Sequence, residues 1–132
     1  MSKEQYVTFE VARLLKEKGF DWFTYAYYTK DDADKEPYFG MENLCPDNWN
    51  GQPDEVNDLW FSAPTQQMAC RWLIETHNIH IEPHFLRASG DYVYNIIHSP
   101  LELDDIHSFP IVFNTREDAV EAALEYVLKN LI

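Results

Sequence analysis

The chain has 132 residues, with 23 acidic against 10 basic side chains and a formal net charge of −13. Its 45% hydrophobic and 15% aromatic content excludes a disordered polymer and suits one domain spanning residues 1–132. The charge disfavours direct nucleic-acid binding and ordinary membrane binding, which begin with Lys and Arg neutralising phosphate, and leaves basic proteins, cations and neutral ligands.

The opening MSKEQYV lacks the apolar run of a secretion signal, and nothing approaches the ~18 consecutive apolar residues of a membrane span. A cytoplasmic location is therefore expected. Residues 8–19, TFEVARLLKEKG, are predicted helical: Thr8 caps the start, Val11, Leu14 and Leu15 recur at helical spacing, and Gly19 takes the left-handed stop. Phe20 then folds back onto the last turn. WFTYAYYT, residues 22–29, is aromatic and β-rich, and alternation places Trp22, Thr24, Ala26 and Tyr28 on one side with Phe23, Tyr25 and Tyr27 on the other.

Lys30 to Asp58 holds nine acids, three prolines and two glycines, an acidic irregular excursion. A structureless loop of that length is uncommon inside a domain. A short strand near Pro37–Phe39 pairing back on residues 22–29 is expected, followed by chain pinned by Leu44, Trp49 and Leu59–Phe61. DNWNG resembles part of an EF-hand loop, but aligning Gly51 with the invariant glycine puts Pro46 and Asn57 where carboxylates are needed.

In residues 62–76, SAPTQQMACRWLIET, Ser62 or Ala63 precedes Pro64 at a predicted helix start, with Met68, Ala69, Trp72 and Leu73 as its inward stripe and Cys70 and Ile74 on another side. Cys70 and Cys45 form no CxxC and are expected to be free thiols. IHIEPHFL and DYVYNIIH then form a hairpin with Gly90 in its turn, and Ile111–Phe113 adds a short edge strand. A final helix is capped by Thr115, with Asp118 at the capping-box position and Ala119, Val120, Ala123, Leu124, Val127 and Leu128 on one face. The fold class is α+β, an antiparallel sheet of about four strands with three helices in the order α-β-β-α-β-β-α.

HNIHIEPHF, residues 77–85, places three histidines and a glutamate within nine residues. On a strand His80, Glu82 and His84 point together, while Ile79, Ile81 and Phe85 point toward the core. His80 and His84 stand roughly 13 Å apart on a straight strand, too far to share one zinc ion. Hairpin register decides the rest. A four-residue loop at 87–90 pairs Glu82 with Asn95 and His80 with Ile97, which supplies no further strong ligand; a five-residue loop at 87–91 pairs His80 with His98 and makes a credible metal site. The first register keeps Asn95 off the core face and is favoured. His77 and His107 read as a helix-end and a loop residue. The acids Asp31/Asp32, Glu102/Asp104/Asp105 and Glu117/Asp118 read as solvated charge. No nucleotide, hydrolase or metalloprotease fingerprint occurs, and no cofactor is indicated.

VTFEVARLLKEKGF, AYY, FSAPTQQMACRWLIETHNIHI and TREDAVEAALEYVLKNLI resemble segments of small proteins carried by prophages and mobile elements of gut bacteria. The resemblance covers most of the chain outside residues 30–58 and implies a phage or mobile-element setting; it carries no catalytic residues. The reading that follows is a small acidic, non-enzymatic interaction protein presenting Tyr38, Phe39, Trp49 and Trp60 to a host or phage protein of basic character. Two alternatives belong to other classes: a metal-dependent enzyme or metal-binding protein using His80, Glu82, His84 or His98, and an acidic nucleic-acid mimic that blocks a DNA-binding protein.

Overall fold

A computed structural model describes residues 5–32, 36–39, 46–53, 55–56, 58–98, 105–108 and 111–132. The chain divides into two compact units, Met1–Thr65 and Gln66–Ile132. Leu44 and Cys45, one expected pin and one expected thiol, lie outside the described residues.

In the first unit, helix α1 (Phe9–Glu17) begins where Thr8 accepts a hydrogen bond from the Val11 N–H at 3.3 Å. It ends on Gly19, whose φ of 92° lies in the left-handed region that side chains disfavour. Gly19 N–H donates to the Lys16 carbonyl and Phe20 N–H to the Leu15 carbonyl, the pair of bonds that closes such a stop, and the Phe20 ring is buried. Strand β1 (Ala26–Thr29) runs between β2 (Tyr38–Phe39) and β3 (Trp60–Ser62), antiparallel to both. The inner face, Ala26 and Tyr28, is buried with Val11, Leu14 and Leu15 of α1. Phe9 meets Tyr28 and Phe61 edge-on at 5.7 and 5.1 Å, and the Tyr28 hydroxyl donates to the Val7 carbonyl at 2.7 Å.

The second unit places α2 (Gln66–His77) and α3 (Arg116–Asn130) with a sheet ordered β4 (Ile79–Leu86), β5 (Asp91–His98), β6 (Asp105–Ser108). Thr115 caps α3 by accepting from the Asp118 N–H at 3.1 Å, and all six residues expected on the apolar face of α3 are buried. Ala69, Trp72 and Leu73 of α2 join them with Ile79, Tyr94 and Ile96, while Met68 is half-buried. Gln66, buried at the start of α2, donates to the Glu117 carbonyl and to Glu121 Oε1, each at 2.9 Å, and so ties the two helices together. Asn78 takes a φ of 56° at the exit from α2.

The α+β class and the three helices stand, but the sheet differs from expectation. Among the described residues there are two three-stranded antiparallel sheets, and β3 and β6 are additional, giving α-β-β-β-α-β-β-β-α. The start of α2 moves to Gln66 for the same reason: Ser62 closes β3, Ala63 N–H donates to the Ala26 carbonyl and the Pro64 carbonyl accepts from Val7 N–H, so these groups are committed to strand-like pairing. The edge strand lies at Asp105–Ser108, and Ile111–Phe113 contributes only a bridge from Phe113 to Tyr92. His107 is accordingly a strand residue paired with Ile96. Phe85, expected in the core, is 54% exposed because it lies next to the hairpin turn, where the Tyr92 ring at 5.2 Å is its aromatic contact.

The β4–β5 ladder runs without a bulge from Ile79↔His98 to Leu86↔Asp91, passing through Pro83↔Tyr94. Tyr92 exchanges both backbone hydrogen bonds with Phe113, each at 2.8 Å, so Phe85↔Tyr92 is a non-hydrogen-bonded pair. Two residues on, Pro83↔Tyr94 is of the same kind, and the Pro83 nitrogen faces the outer edge of β4. A proline is tolerated in the middle of this strand because the N–H it lacks is one the ladder does not use, and its absence blunts an edge open to pairing. The substitution Pro83→Val is expected to preserve the far-UV circular dichroism and to raise self-association at high protein and salt concentration, measured by light scattering after gel filtration; an unchanged mass for the folded variant contradicts the edge-blocking role.

Candidate functional site

Among the described residues, the outer face of the first unit's sheet and the chain leading into it carry several aromatics not enclosed in a core. Burial alternates from Phe23 to Tyr28: Thr24, Ala26 and Tyr28 are buried, whereas Phe23 is 61% and Tyr25 47% exposed and Tyr27 is half-buried. Thr24 holds this alternation beyond the end of β1, because its N–H and carbonyl pair with Asp47 at 2.9 and 3.0 Å and its hydroxyl donates to the Ala26 carbonyl at 2.7 Å. Only Ala26–Thr29 is regular strand: Phe23 lies before it and the chain bends at Tyr25, so the alternation of burial continues past the strand without the rings lining up at strand spacing.

Tyr27 is the centre of the face. Tyr38 stacks on it at 5.8 Å, Trp49 lies over it at 4.3 Å, and Trp60 meets Trp49 edge-on at 6.5 Å. Trp49 belongs to a single 3₁₀ turn, Trp49–Gly51, whose indole N–H donates to the Thr24 carbonyl at 2.9 Å. Asn50 of the same turn donates to the Phe20 carbonyl at 2.9 Å and accepts from Ser62 N–H at 3.0 Å, which fastens the turn over β3 and leaves Ser62 buried.

The four expected interaction residues therefore separate by role. Trp49 and Trp60 are half-buried and hold the turn down, while Tyr38 and Phe39 are 41% and 44% exposed. Tyr38 and Phe39 are neighbours on one strand and project to opposite faces; Tyr38 stacks on Tyr27, whereas Phe39 meets Tyr6 at 5.4 Å. Phe23 and Tyr25 are further exposed rings, in the chain leading into β1. Their alternation is visible in the sequence, but it reads there as the back of a strand, and the charge of residues 30–58 draws attention away from it.

Ion pairing leaves this unit with unmatched acids. Arg13 is held by Glu10 and Glu17 at 2.7 and 2.8 Å, and Lys30 lies 3.8 Å from Asp58. Lys16 donates to the Trp60 carbonyl at 2.8 Å and sits 4.7 Å over the Phe61 ring; burial there pulls its ammonium below the ordinary lysine value, against the opposing pull of Asp58. Asp21, Asp31, Glu36 and Asp47 are exposed and make no ion pair among the described residues.

The hairpin adopts the four-residue loop, pairing His84 with Val93, Glu82 with Asn95 and His80 with Ile97. His80 is half-buried, and Glu82 and His84 are exposed. The backbone of His98 pairs with Ile79 and Asp105; its side chain lies outside the described part. Among the described residues no three His, Cys, Asp or Glu side chains gather as a metal ion requires. His77 ends α2 with its ring 5.2 Å from Trp72. No helix of the described residues is long and apolar enough to cross a membrane. No family model, curated protein or solved structure matches the chain.

Two measurements follow. Trp49→Ala removes the clamp and is expected to lower the urea-unfolding free energy by about 2 kcal/mol, roughly half the cost of deleting a fully buried tryptophan, whereas Tyr38→Ala costs under about 1 kcal/mol. Equal losses contradict the division of roles. Burial also pushes the Cys70 thiol up to about 11, with Arg116 drawing it back and Glu121 reinforcing the rise. In a Cys45→Ser background, iodoacetamide is expected to modify Cys70 negligibly at pH 8 and faster as pH rises toward 11. Since the folded thiol titrates above its unfolded value, its contribution to stability is complete below about pH 9 and disappears as pH rises through about 11.

Proposed function

We propose that this is a non-enzymatic interaction protein whose contact surface is built from the exposed rings Phe23, Tyr25 and Tyr38, and whose partner is a host or phage protein of basic character. The observation that carries the reading is the exposure of these rings: Phe23 and Tyr25 alternate with the buried Thr24 and Ala26, and Tyr38 is 41% exposed on β2. Rigid aromatic side chains give contact area at small entropic cost, and surrounding charge steers the encounter. The phage or mobile-element setting belongs to the same proposal and is supported by the resemblance in FSAPTQQMACRWLIETHNIHI. One form of the metal-centred alternative, the five-residue-loop register, needs His98 opposite His80, and Ile97 takes that place.

The test uses the full chain, immobilised, with lysate of a gut bacterium carrying the mobile element. A partner retained by the wild type and by Glu117→Gln, an exposed control on α3, and lost by the double substitution Tyr25→Ala/Tyr38→Ala is the expected result. An identical set of retained proteins for all three forms overturns the proposed surface. The urea midpoint of the double variant, measured alongside, separates loss of contact from loss of fold.

A further inference from the structure

We infer that Asn50 is a self-modification site, converted to aspartate or isoaspartate by its neighbour Gly51 when the Trp49–Gly51 turn opens. The inference stands apart from the interaction reading above. Three observations carry it.

The first is the sequence of the turn. Asn50–Gly51 is the chain's one Asn-Gly pair, and every other asparagine precedes a residue with a side chain. Asparagine is a thermolabile residue, most of all before glycine, where no Cβ shields the next backbone nitrogen. The Gly51 nitrogen attacks Asn50 Cγ and forms the new C–N bond of a five-membered succinimide, while the side-chain nitrogen departs as ammonia with the proton Gly51 gives up. Water then adds to one of the two ring carbonyls and breaks that carbonyl's bond to nitrogen, which gives aspartate or isoaspartate. No oxidant or second protein takes part.

The second is that the closed turn holds this reaction off. Gly51 N–H donates to the Asn48 carbonyl at 3.1 Å. The Asn50 amide is fixed at both ends, Nδ2 donating to the Phe20 carbonyl at 2.9 Å and Oδ1 accepting from Ser62 N–H at 3.0 Å. Ring closure swings Cγ onto the Gly51 nitrogen, which breaks these bonds and takes Asn50 out of the helical ψ range of a 3₁₀ turn. Conversion therefore requires local opening.

The third is that the same geometry keeps the labile pair in place and makes its loss one-way. A Cβ at Gly51 falls 2.5 Å from Asn48 Nδ2, so glycine is the residue that fits without displacing that side chain. Asn50 serves as donor and acceptor together, a combination an ionised aspartate lacks. In the product a carboxylate oxygen meets the Phe20 carbonyl where an N–H stood, and isoaspartate also lengthens the backbone of the turn. Trp49, carried by that turn, loses its support over Tyr27.

The full chain is incubated at pH 8, with and without urea above its unfolding midpoint, and Asn50 is followed by peptide mapping and isoaspartyl methyltransferase labelling. Conversion is expected to be roughly tenfold or more faster in urea than in the folded chain. In urea it is also expected to outpace Asn78, Asn95 and Asn114, and to slow roughly tenfold in Gly51→Ala, where folding plays no part. Without urea, Trp49→Ala that retains its far-UV circular dichroism is expected to convert several-fold faster than the wild type. Asn50→Asp is expected to show a lower urea midpoint and a red-shifted tryptophan emission. Equal rates in folded and unfolded chain, or an Asn50 no faster in urea than the other asparagines, overturn the inference. An unchanged rate in folded Trp49→Ala overturns the gating by the turn, and a wild-type midpoint and emission for Asn50→Asp overturn the loss of the clamp.

Discussion

The indole of Trp49 lying on Tyr27 is the contact on which the first unit's surface depends. The chain between β1 and β3 is acidic and poor in apolar residues, so it has little of its own to bury. One large ring at 4.3 Å from Tyr27, with its N–H spent on the Thr24 carbonyl, gives that chain an anchor on the sheet. Asn50 adds bonds to Phe20 and Ser62 from the same turn. The result is an outer face with two parts: a covered part under Trp49, where Ser62 is buried, and an open part formed by Phe23, Tyr25 and Tyr38. Without the clamp that division does not exist.

Much of this was legible wherever side-chain periodicity and capping acted together. In α1 the Thr8 cap, the Val11, Leu14 and Leu15 stripe and the Gly19 stop agree, and in α3 the Thr115 cap and six apolar positions agree. Along residues 22–29 alternation matched burial, but only Ala26–Thr29 is strand and the chain bends at Tyr25. Legibility failed where an element owes its existence to a partner. Strand β3 has three residues and β6 four, too few for a period to show, and each is defined by pairing with a strand far away in sequence. The start of α2 failed for the opposite reason: Pro64 is a good first-turn residue, yet Ala63 and Pro64 have their backbone groups engaged by Ala26 and Val7. Tertiary pairing overrode a sound local signal.

The site was legible to a lesser degree. Hydrophobic content named Trp49 and Trp60 along with Tyr38 and Phe39, but it does not distinguish a ring that presents itself from one that fastens a turn. That distinction is set by what lies over each ring: Trp49 covers Tyr27, Trp60 packs on Trp49, and Phe39 turns toward Tyr6. The histidines were the reverse case, where sequence posed a choice between two registers one residue apart. The loop at 87–90 fixes it, with Gly90 at a φ of 75° and its N–H donating to the Leu86 carbonyl at 2.8 Å. Every cross-strand neighbour of His80 and Glu82 follows from that turn.

Exposed aromatics and an open strand edge would ordinarily invite self-association, and the molecule carries opposing devices against both. Pro83 removes a donor from the outer edge of β4, which weakens the ladder a second chain would need. A net charge of −13 repels another copy from the exposed rings more generally. The same charge does not repel a cation, so the basic partner proposed above is compatible with the feature that keeps like chains apart. Neither Asp21 nor Glu36 forms an ion pair among the described residues, so these acids add to that repulsion and hold nothing together by ion pairing.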